Sequence, residues 1–309
     1  MRFETIKSVY QAALKNDKII FMTGDLGHAH LDDFKKNIPK QYYNMGIAEQ
    51  NMIGVAAGLA MSGNRVFVYS IAPFITMRCY EQLKVDVCCH NVGVVAIGIS
   101  AGYAYSKEGC THHAIEDIAV MRALPNMHIY SPSTPREARL LTEYLTTTNH
   151  PAYLRIGKGG EPESEKEYQI TIGRGLVMKK GKDITIFSTG SIVGEALNAA
   201  NLLSNFGIRA EVINIHTIKP IDTGIVADRV KHRKGIFVLE EHNILGGLGS
   251  AIAEIVCEVD LPEKPIFKRF GVPDKYTHLA GSLSFMRKQW GLLGEQVAEK
   301  IIPLIIRRV

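Results

Sequence analysis

The sequence predicts an α/β chain of two consecutive doubly wound, mostly parallel-sheet domains. Three observations carry this. Short apolar runs of strand length alternate with helical patterns from end to end, and such alternation builds parallel sheets covered on both faces. The 309 residues, 46% hydrophobic and 22% charged, are enough to bury two domain cores. A polar, breaker-rich run from Gly157 to Glu167 interrupts the alternation midway. The expected layout is a first domain at 1–160, a linker at 161–174 and a second domain at 175–309. No repeat at a fixed period is visible.

Composition narrows the function classes. The formal net charge is +5, with 36 Lys and Arg interleaved among 31 Asp and Glu. The longest basic run is Lys231 to Lys234. That balance reads as a solvated surface, with no nucleic acid and no membrane as partner. No run approaches the roughly 18 apolar residues that span a bilayer. The five cysteines form no CxxC pair, and Met1 to Asp17 is charged without an apolar signal core. The expectation is reduced thiols in the cytoplasm.

Taken in order, Thr5 to Lys15 has a helical pattern. Lys18 to Thr23 is a buried strand that ends in Gly24-Asp25-Leu26-Gly27. Residues at the carboxyl end of such a strand line the ligand crevice of an open sheet. Asp25 is therefore a site candidate, with a turn or N-cap Asp as the plainer alternative. His28 and His30 follow. Without a further ligand cluster they read as polar loop residues or substrate contacts, not as a metal site. Gln41 to Tyr43 is a short strand. It leads through Asn44-Met45-Gly46-Ile47-Ala48 to Glu49, which opens a small-residue helix uncharged from Ile53 to Ala60. A carboxylate there is poorly solvated and needs a partner. An acid that turns outward or caps the first turn is the alternative.

Arg65 to Ile71 is the next strand. Beyond it Phe74, Met77 and Tyr80 lie three apart, which places them on one helical face. Such a stripe is either core or the wall of a site for a flat ligand. Val92 to Ser100 is an apolar strand that runs into a polar loop, Ala101 to His113. Loops on rigid sheets tend to carry function, and a loop His is a common proton carrier. His112 is thus a candidate, with a capping or packing role as the alternative. A helix from Ile115 to Arg122, a strand from Met127 to Ser131, a helix begun by Pro135 and a strand from Ala152 to Ile156 complete the first half. In the second half, strands are expected at Asp183–Ser188, Ala210–Ile215, Gly235–Leu239 and Ile266–Phe270. Helices fall at Ile192–Asn205, at Ser250–Glu258 and at the end of the chain. Gly246-Gly247-Leu248-Gly249-Ser250 joins a strand to a helix. It suits an anion at a helix N-terminus, but Ile252 departs from the dinucleotide fingerprint. A tight turn is the better reading.

Five landmarks stand in a telling order. They are Gly24-Asp25-Leu26-Gly27, Ile47-Ala48-Glu49-Gln50, Glu108-Gly109-Cys110-Thr111-His112, Leu239-Glu240-Glu241-His242 with the glycine turn, and Gly271-Val272-Pro273-Asp274. Over nearly its whole length the chain resembles the C-terminal half of the thiamine-diphosphate enzymes of the transketolase group. That half is a pyrimidine-binding domain followed by the transketolase C-terminal domain, as in transketolase and 1-deoxyxylulose-5-phosphate synthase. The resemblance implies thiamine diphosphate as coenzyme, whose thiazolium C2 must lose a proton. It implies that Glu49 hydrogen-bonds the aminopyrimidine and stabilises the imino form that removes this proton. Phe74 and Tyr80 match the aromatic wall of the pyrimidine, with Met77 in place of a frequent aromatic. Asp25 matches an Asp near the cofactor where two subunits meet. His112 matches the loop His that contacts the donor sugar, and Glu108 stands where the family has Asp. Arg155 and Lys158 resemble a basic pair that holds the substrate phosphate, Lys lacking the fork of Arg. The family's other phosphate-binding side chains fall near Ser100 and Ala101, where this chain has neither His nor Arg. Ser100 is then a substrate contact, and an unphosphorylated or nucleotide-linked sugar becomes acceptable.

The family holds the diphosphate through a divalent ion bound by a Gly-Asp-Gly motif and a later Asn. No Gly-Asp-Gly occurs here, since the one Gly-Asp continues with Leu26. The resemblance therefore implies a partner chain that brings the diphosphate domain and its Mg2+ or Ca2+, with no metal ligands in this chain. It implies a homodimer of this chain within a two-plus-two heterotetramer, and an inactive chain on its own. The implied reaction moves a two-carbon ketol unit between sugars. One alternative with the same domain pair is the β subunit of a 2-oxo acid dehydrogenase, or a decarboxylating ligase of the deoxyxylulose-phosphate-synthase type. The other, of a different class, is a non-catalytic nucleotide-binding scaffold. The His112 loop and Gly271-Val272-Pro273-Asp274 favour the transketolase.

Overall fold

In the computed structural model, which describes residues 1–27, 31–157 and 168–306, the apolar runs form buried strands in two sheets. The first half supplies β1 (Ile19–Thr23), β2 (Tyr42–Asn44), β3 (Arg65–Ile71), β4 (Val94–Ile99), β5 (His128–Tyr130) and β6 (Ala152–Ile156). The second half supplies β7 (Leu176–Lys179), β8 (Ile184–Ser188), β9 (Ala210–Asn214), β10 (Thr217–Lys219), β11 (Gly235–Asn243) and β12 (Ile266–Val272). The sheet orders are β10-β5-β6-β4-β3-β1-β2 and β12-β11-β8-β9-β7. All neighbours are parallel except β10 on β5 and β7 on β9, both edge strands. β10 belongs by sequence to the second half but hydrogen-bonds into the first sheet, so the two halves share backbone pairing. Neither β7 nor β10 was expected, nor were the helices Thr223–His232 and Leu283–Trp290. The expected linker falls largely on residues outside the described ones.

Helix Glu49–Met61 positions the site. Its inward face buries Met52, Ile53, Ala56, Ala57 and Ala60, while Gly58 faces outward with room for a side chain. Burying Met52 and Ile53 is worth about 1.5–3 kcal/mol each. That outweighs the roughly 1 kcal/mol per residue that Gly54 and Gly58 cost a helix. The helix stops at Gly63, whose φ of 88° follows a Ser62 N–H bond to the Gly58 carbonyl. The apolar cluster under this helix continues through Met121 and Ile129 to Ile218, Val238 and Ile252, and so joins both sheets.

A buried polar joint ties the halves together. Asp117 accepts hydrogen bonds from Tyr153 Oη (2.6 Å) and Arg155 Nε (2.7 Å). Arg155 Nη2 donates to the carbonyls of Ala114 (3.0 Å) and Glu241 (3.1 Å). The glycine turn resolves as a tight turn around an internal anion. Glu240 accepts the Leu248 and Gly249 N–H groups at 2.7 and 2.9 Å, at the start of helix Leu248–Glu258. A Cβ on Gly247 would sit 2.1 Å from Glu240 Oε2, so a side chain there would expel the carboxylate.

Burial pushes His150, His216 and His242 down to about 4 and lifts Glu240 to about 7. The imidazoles bind protons more readily in the unfolded chain, whose ordinary value is 6.5. Their contribution to stability is therefore present above pH 6.5 and is lost as pH falls toward 4. Glu240 acts in the opposite sense. Its contribution is present below the ordinary 4.5 and is lost as pH rises through 7. Three groups against one make the net effect acid destabilisation. The melting temperature should fall steadily from pH 6.5 to 4.5, and a flat or rising curve over that window contradicts the assignment.

Candidate active site

Strands β4, β3 and β1 are neighbours, and their carboxyl ends bring Ser100, Phe74 and Gly24-Asp25 to one edge of the sheet. Two of these positions are strained. Asp25 and Ser100 have φ of 58° and 68°, a left-handed backbone that costs a non-glycine residue of order 1–3 kcal/mol. The Asp25 turn is held by Asn44. Asn44 Nδ2 donates to Asp25 Oδ1 (2.9 Å), and the N–H groups of Asp25 and Gly46 both donate to Asn44 Oδ1 at 3.1 Å. Asp25 is exposed at the rim.

Glu49 is the first residue of its helix and is 2% exposed. Ser70 Oγ donates to its Oε1 at 2.8 Å, and Arg78 Nη1 donates to its Oε2 at 2.6 Å. Gly24 leaves the space beside them open. A Cβ there would lie 3.4 Å from Oε1 and 3.5 Å from Ser70 Oγ. The Arg78 guanidinium also lies on the Phe74 ring, 4.3 Å from its centroid. His112 meets the same ring edge-on at 5.2 Å, with Tyr105 6.2 Å from His112. Thr111 Oγ1 lies 2.9 Å from His112 Nδ1. Phe74 thus stands between the buried carboxylate and the loop histidine. The structure brings together Glu49, Phe74 and His112, with Asp25 and Ser100 on the same sheet edge. Glu108 is exposed on the His112 loop. Ser100 is fully buried, and its hydroxyl has no hydrogen-bond partner among the described residues.

Two expectations change. Phe74, Met77 and Tyr80 do not share one helical face. The backbone is π-wound over Phe74–Arg78 and again over Leu83–Cys89, and the wider turn breaks three-residue stacking. Phe74 packs on one side of the first sheet, Tyr80 packs into the core on the other side, and Met77 is exposed. Arg155 is not placed to hold a substrate phosphate. It is 3% exposed and paired with Asp117 inside the joint. His28, His30 and Lys158 lie outside the described residues. Among the described residues no group of three His, Cys, Asp or Glu is arranged for a metal ion, and no helix is long and apolar enough to cross a membrane.

Two site residues escaped sequence reasoning. Ser70 is a hydroxyl in an otherwise buried strand, and Arg78 is the single cation between Arg65 and Lys84. Both signals are weak until the fold brings them to Glu49.

Comparison with known proteins fits this geometry. The profile of the transketolase pyrimidine-binding domain matches residues 4–161, and that of the transketolase C-terminal domain matches residues 173–292. The chain belongs to the transketolase family. Its transketolase relatives include one of the two subunits of the apulose-4-phosphate transketolase of Actinobacillus succinogenes, 36% identical over 95% of this chain and 94% of that protein. A 6-deoxy-6-sulfo-D-fructose transketolase subunit of a Clostridium species is 32% identical over 96% of this chain and 92% of its own length. A solved split-gene transketolase, described as an inactive β4 tetramer, superposes with a TM-score of 0.87 at 32% identity. That match covers 99% of this chain and 97% of the other.

In this transketolase-family site Ser70 is the one hydroxyl that donates to Glu49. Ser70→Ala leaves a buried carboxylate oxygen without its donor, a loss of about 1–3 kcal/mol. Chemical denaturation should show it, and a midpoint equal to that of the unmutated chain contradicts the role.

Proposed function

We propose that this chain is the pyrimidine-domain subunit of a two-chain transketolase, moving a two-carbon ketol unit between sugars with thiamine diphosphate as coenzyme. One observation carries the reading. The planar Arg78 guanidinium lies on the Phe74 face and donates to buried Glu49. This corner accepts a flat, nitrogen-bearing group, and an aminopyrimidine is another such group. The coenzyme, when bound, supplies a carbon nucleophile toward the ketose carbonyl.

The chain's own residues do the rest. Glu49 Oε2 holds a proton against the pyrimidine ring nitrogen. Ser70 engages Oε1, which stops the carboxyl group from rotating. Phe74 covers the ring face, with Met77, Tyr80 and Asp25 bordering the same pocket. The uncharged helix behind Glu49 keeps water away, so each hydrogen bond acts at low dielectric. His112 and Glu108 reach sugar hydroxyls, and Ser100 offers its free hydroxyl in the crevice. His28, His30 and Lys158 join as substrate contacts on resemblance alone. Arg155, committed to Asp117, is not among them.

The relatives named as transketolase subunits support a second chain. We assign to it the grip on the diphosphate through Mg2+ or Ca2+, in an assembly of two of each chain. The domain limits 1–160 and 175–309 with linker 161–174 belong to this proposal. So does a cytoplasmic location, which suits five unpaired cysteines. The donor is a ketose, as apulose 4-phosphate and 6-deoxy-6-sulfo-D-fructose are for the named relatives.

The test is turnover of the reconstituted pair on a panel of plain, phosphorylated and sulfonated ketoses, with pyruvate alongside. Glu49→Ala should lower turnover at least about 10²-fold while the melting curve keeps its single transition. Full turnover by Glu49→Ala sinks the proposal. Turnover of pyruvate alone would replace it by the decarboxylating reading.

A further inference from the structure

The loop that carries His112 is held by the second half of the chain. Its neck is a pair of backbone bonds between Gly102 and Ala114, at 3.1 and 2.9 Å. Inside the neck, the Tyr103 N–H donates to Glu241 Oε1 at 2.8 Å. Glu241 is 4% exposed, and its other oxygen accepts from Arg287 Nε. Arg287 Nη2 donates in turn to Ser191 Oγ at 3.0 Å. Gly102 has φ of 60°, and a Cβ there would fall 2.1 Å from Glu241 Oε1. The carboxylate is therefore pressed onto the loop backbone at the one residue without a side chain. A second tie runs from Ser106 Oγ to the Gly281 carbonyl at 2.6 Å.

These contacts are costly to bury. An ion pair and two backbone groups leave water, and apolar residues of similar volume would often serve stability as well. What the arrangement supplies is direction. A bidentate-capable carboxylate fixed by a guanidinium leaves one oxygen aimed at one N–H. From Tyr103 the chain has nine residues to His112, with the exposed stretch around Glu108 between them. A shift at the neck moves the imidazole off the Phe74 edge.

We propose that Glu241, clamped by Arg287, is a positioning residue that sets the His112 loop for the sugar substrate. The inference rests on the transketolase reading, since it assigns the loop to the donor ketose. The second half thereby shapes substrate affinity without touching the coenzyme corner at Glu49 and Phe74.

The experiment has two arms on the full-length chain. Lys107 is exposed and is the one Lys or Arg between Ala101 and Ala114. Limited trypsin digestion of the chain alone therefore reports opening of this loop and needs no turnover. In Glu241→Gln and in the milder Arg287→Lys, cleavage after Lys107 should accelerate about tenfold, the equivalent of about 1.4 kcal/mol of opening free energy. In the reconstituted pair, KM for the ketose should rise by about tenfold while kcat stays within about threefold and coenzyme affinity is unchanged. Unaltered cleavage and KM in both variants overturn the inference. So does a fall of coenzyme affinity in step with the rise in KM, which would mark a general loss of structure. If the unmutated pair turns over no ketose, the functional reading fails, and the digestion arm still decides whether Glu241 holds the loop.

Discussion

A carboxylate kept out of water is the constraint around which the site is built. An unpaired buried charge would cost several kcal/mol, so Glu49 is tolerable only with partners on both oxygens. The fold supplies them from the neighbouring strand and the segment after it. Ser70 at the end of β3 reaches Oε1, and Arg78 on the π-wound turn reaches Oε2. The two partners differ in kind. Ser70 is fully buried, whereas the Arg78 side chain is 40% exposed. The inner oxygen is thus fixed, and the outer one is held by a group that solvent can reach. A site that must exchange one planar partner for another needs this asymmetry.

The rest of the molecule supports that corner in layers. The parallel strands β4, β3 and β1 bring three loops to one edge, where left-handed backbone at Asp25 and Ser100 is maintained by the packing around it. One apolar cluster continues from beneath the Glu49 helix into the second half. The Asp117–Arg155 pair and the Glu241 clamp seal the same junction with charge. The second half holds no residue of the Glu49 corner. Its part is to keep the first half's loops in register, through β10 in the first sheet and through Glu241 on the His112 loop.

Much of this was readable from the residues. The strands β3 and β4 are continuous apolar runs, which leave little choice but a buried parallel sheet. The burial of Glu49 follows from the small uncharged residues behind it. Other features depend on distant partners and left little local signal. β7 and β10 are short edge strands whose pairing is decided by register with the rest of the chain. The π-winding after β3 departs from α periodicity, so a count by threes placed Phe74, Met77 and Tyr80 together when the backbone separates them. Arg155 reads as an available cation until Asp117, 38 positions away, is seen to neutralise it. Ser70 and Arg78 were visible as residue types and invisible as partners of one carboxylate.

The central claim is that half of a coenzyme site resides here and is completed by another polypeptide. Calorimetric titration of thiamine diphosphate with Mg2+ tests it most directly, run on this chain alone, on its diphosphate-domain partner alone and on the mixture. The account predicts micromolar or tighter binding in the mixture and no saturable binding by this chain by itself. Tight binding by this chain in isolation would contradict it.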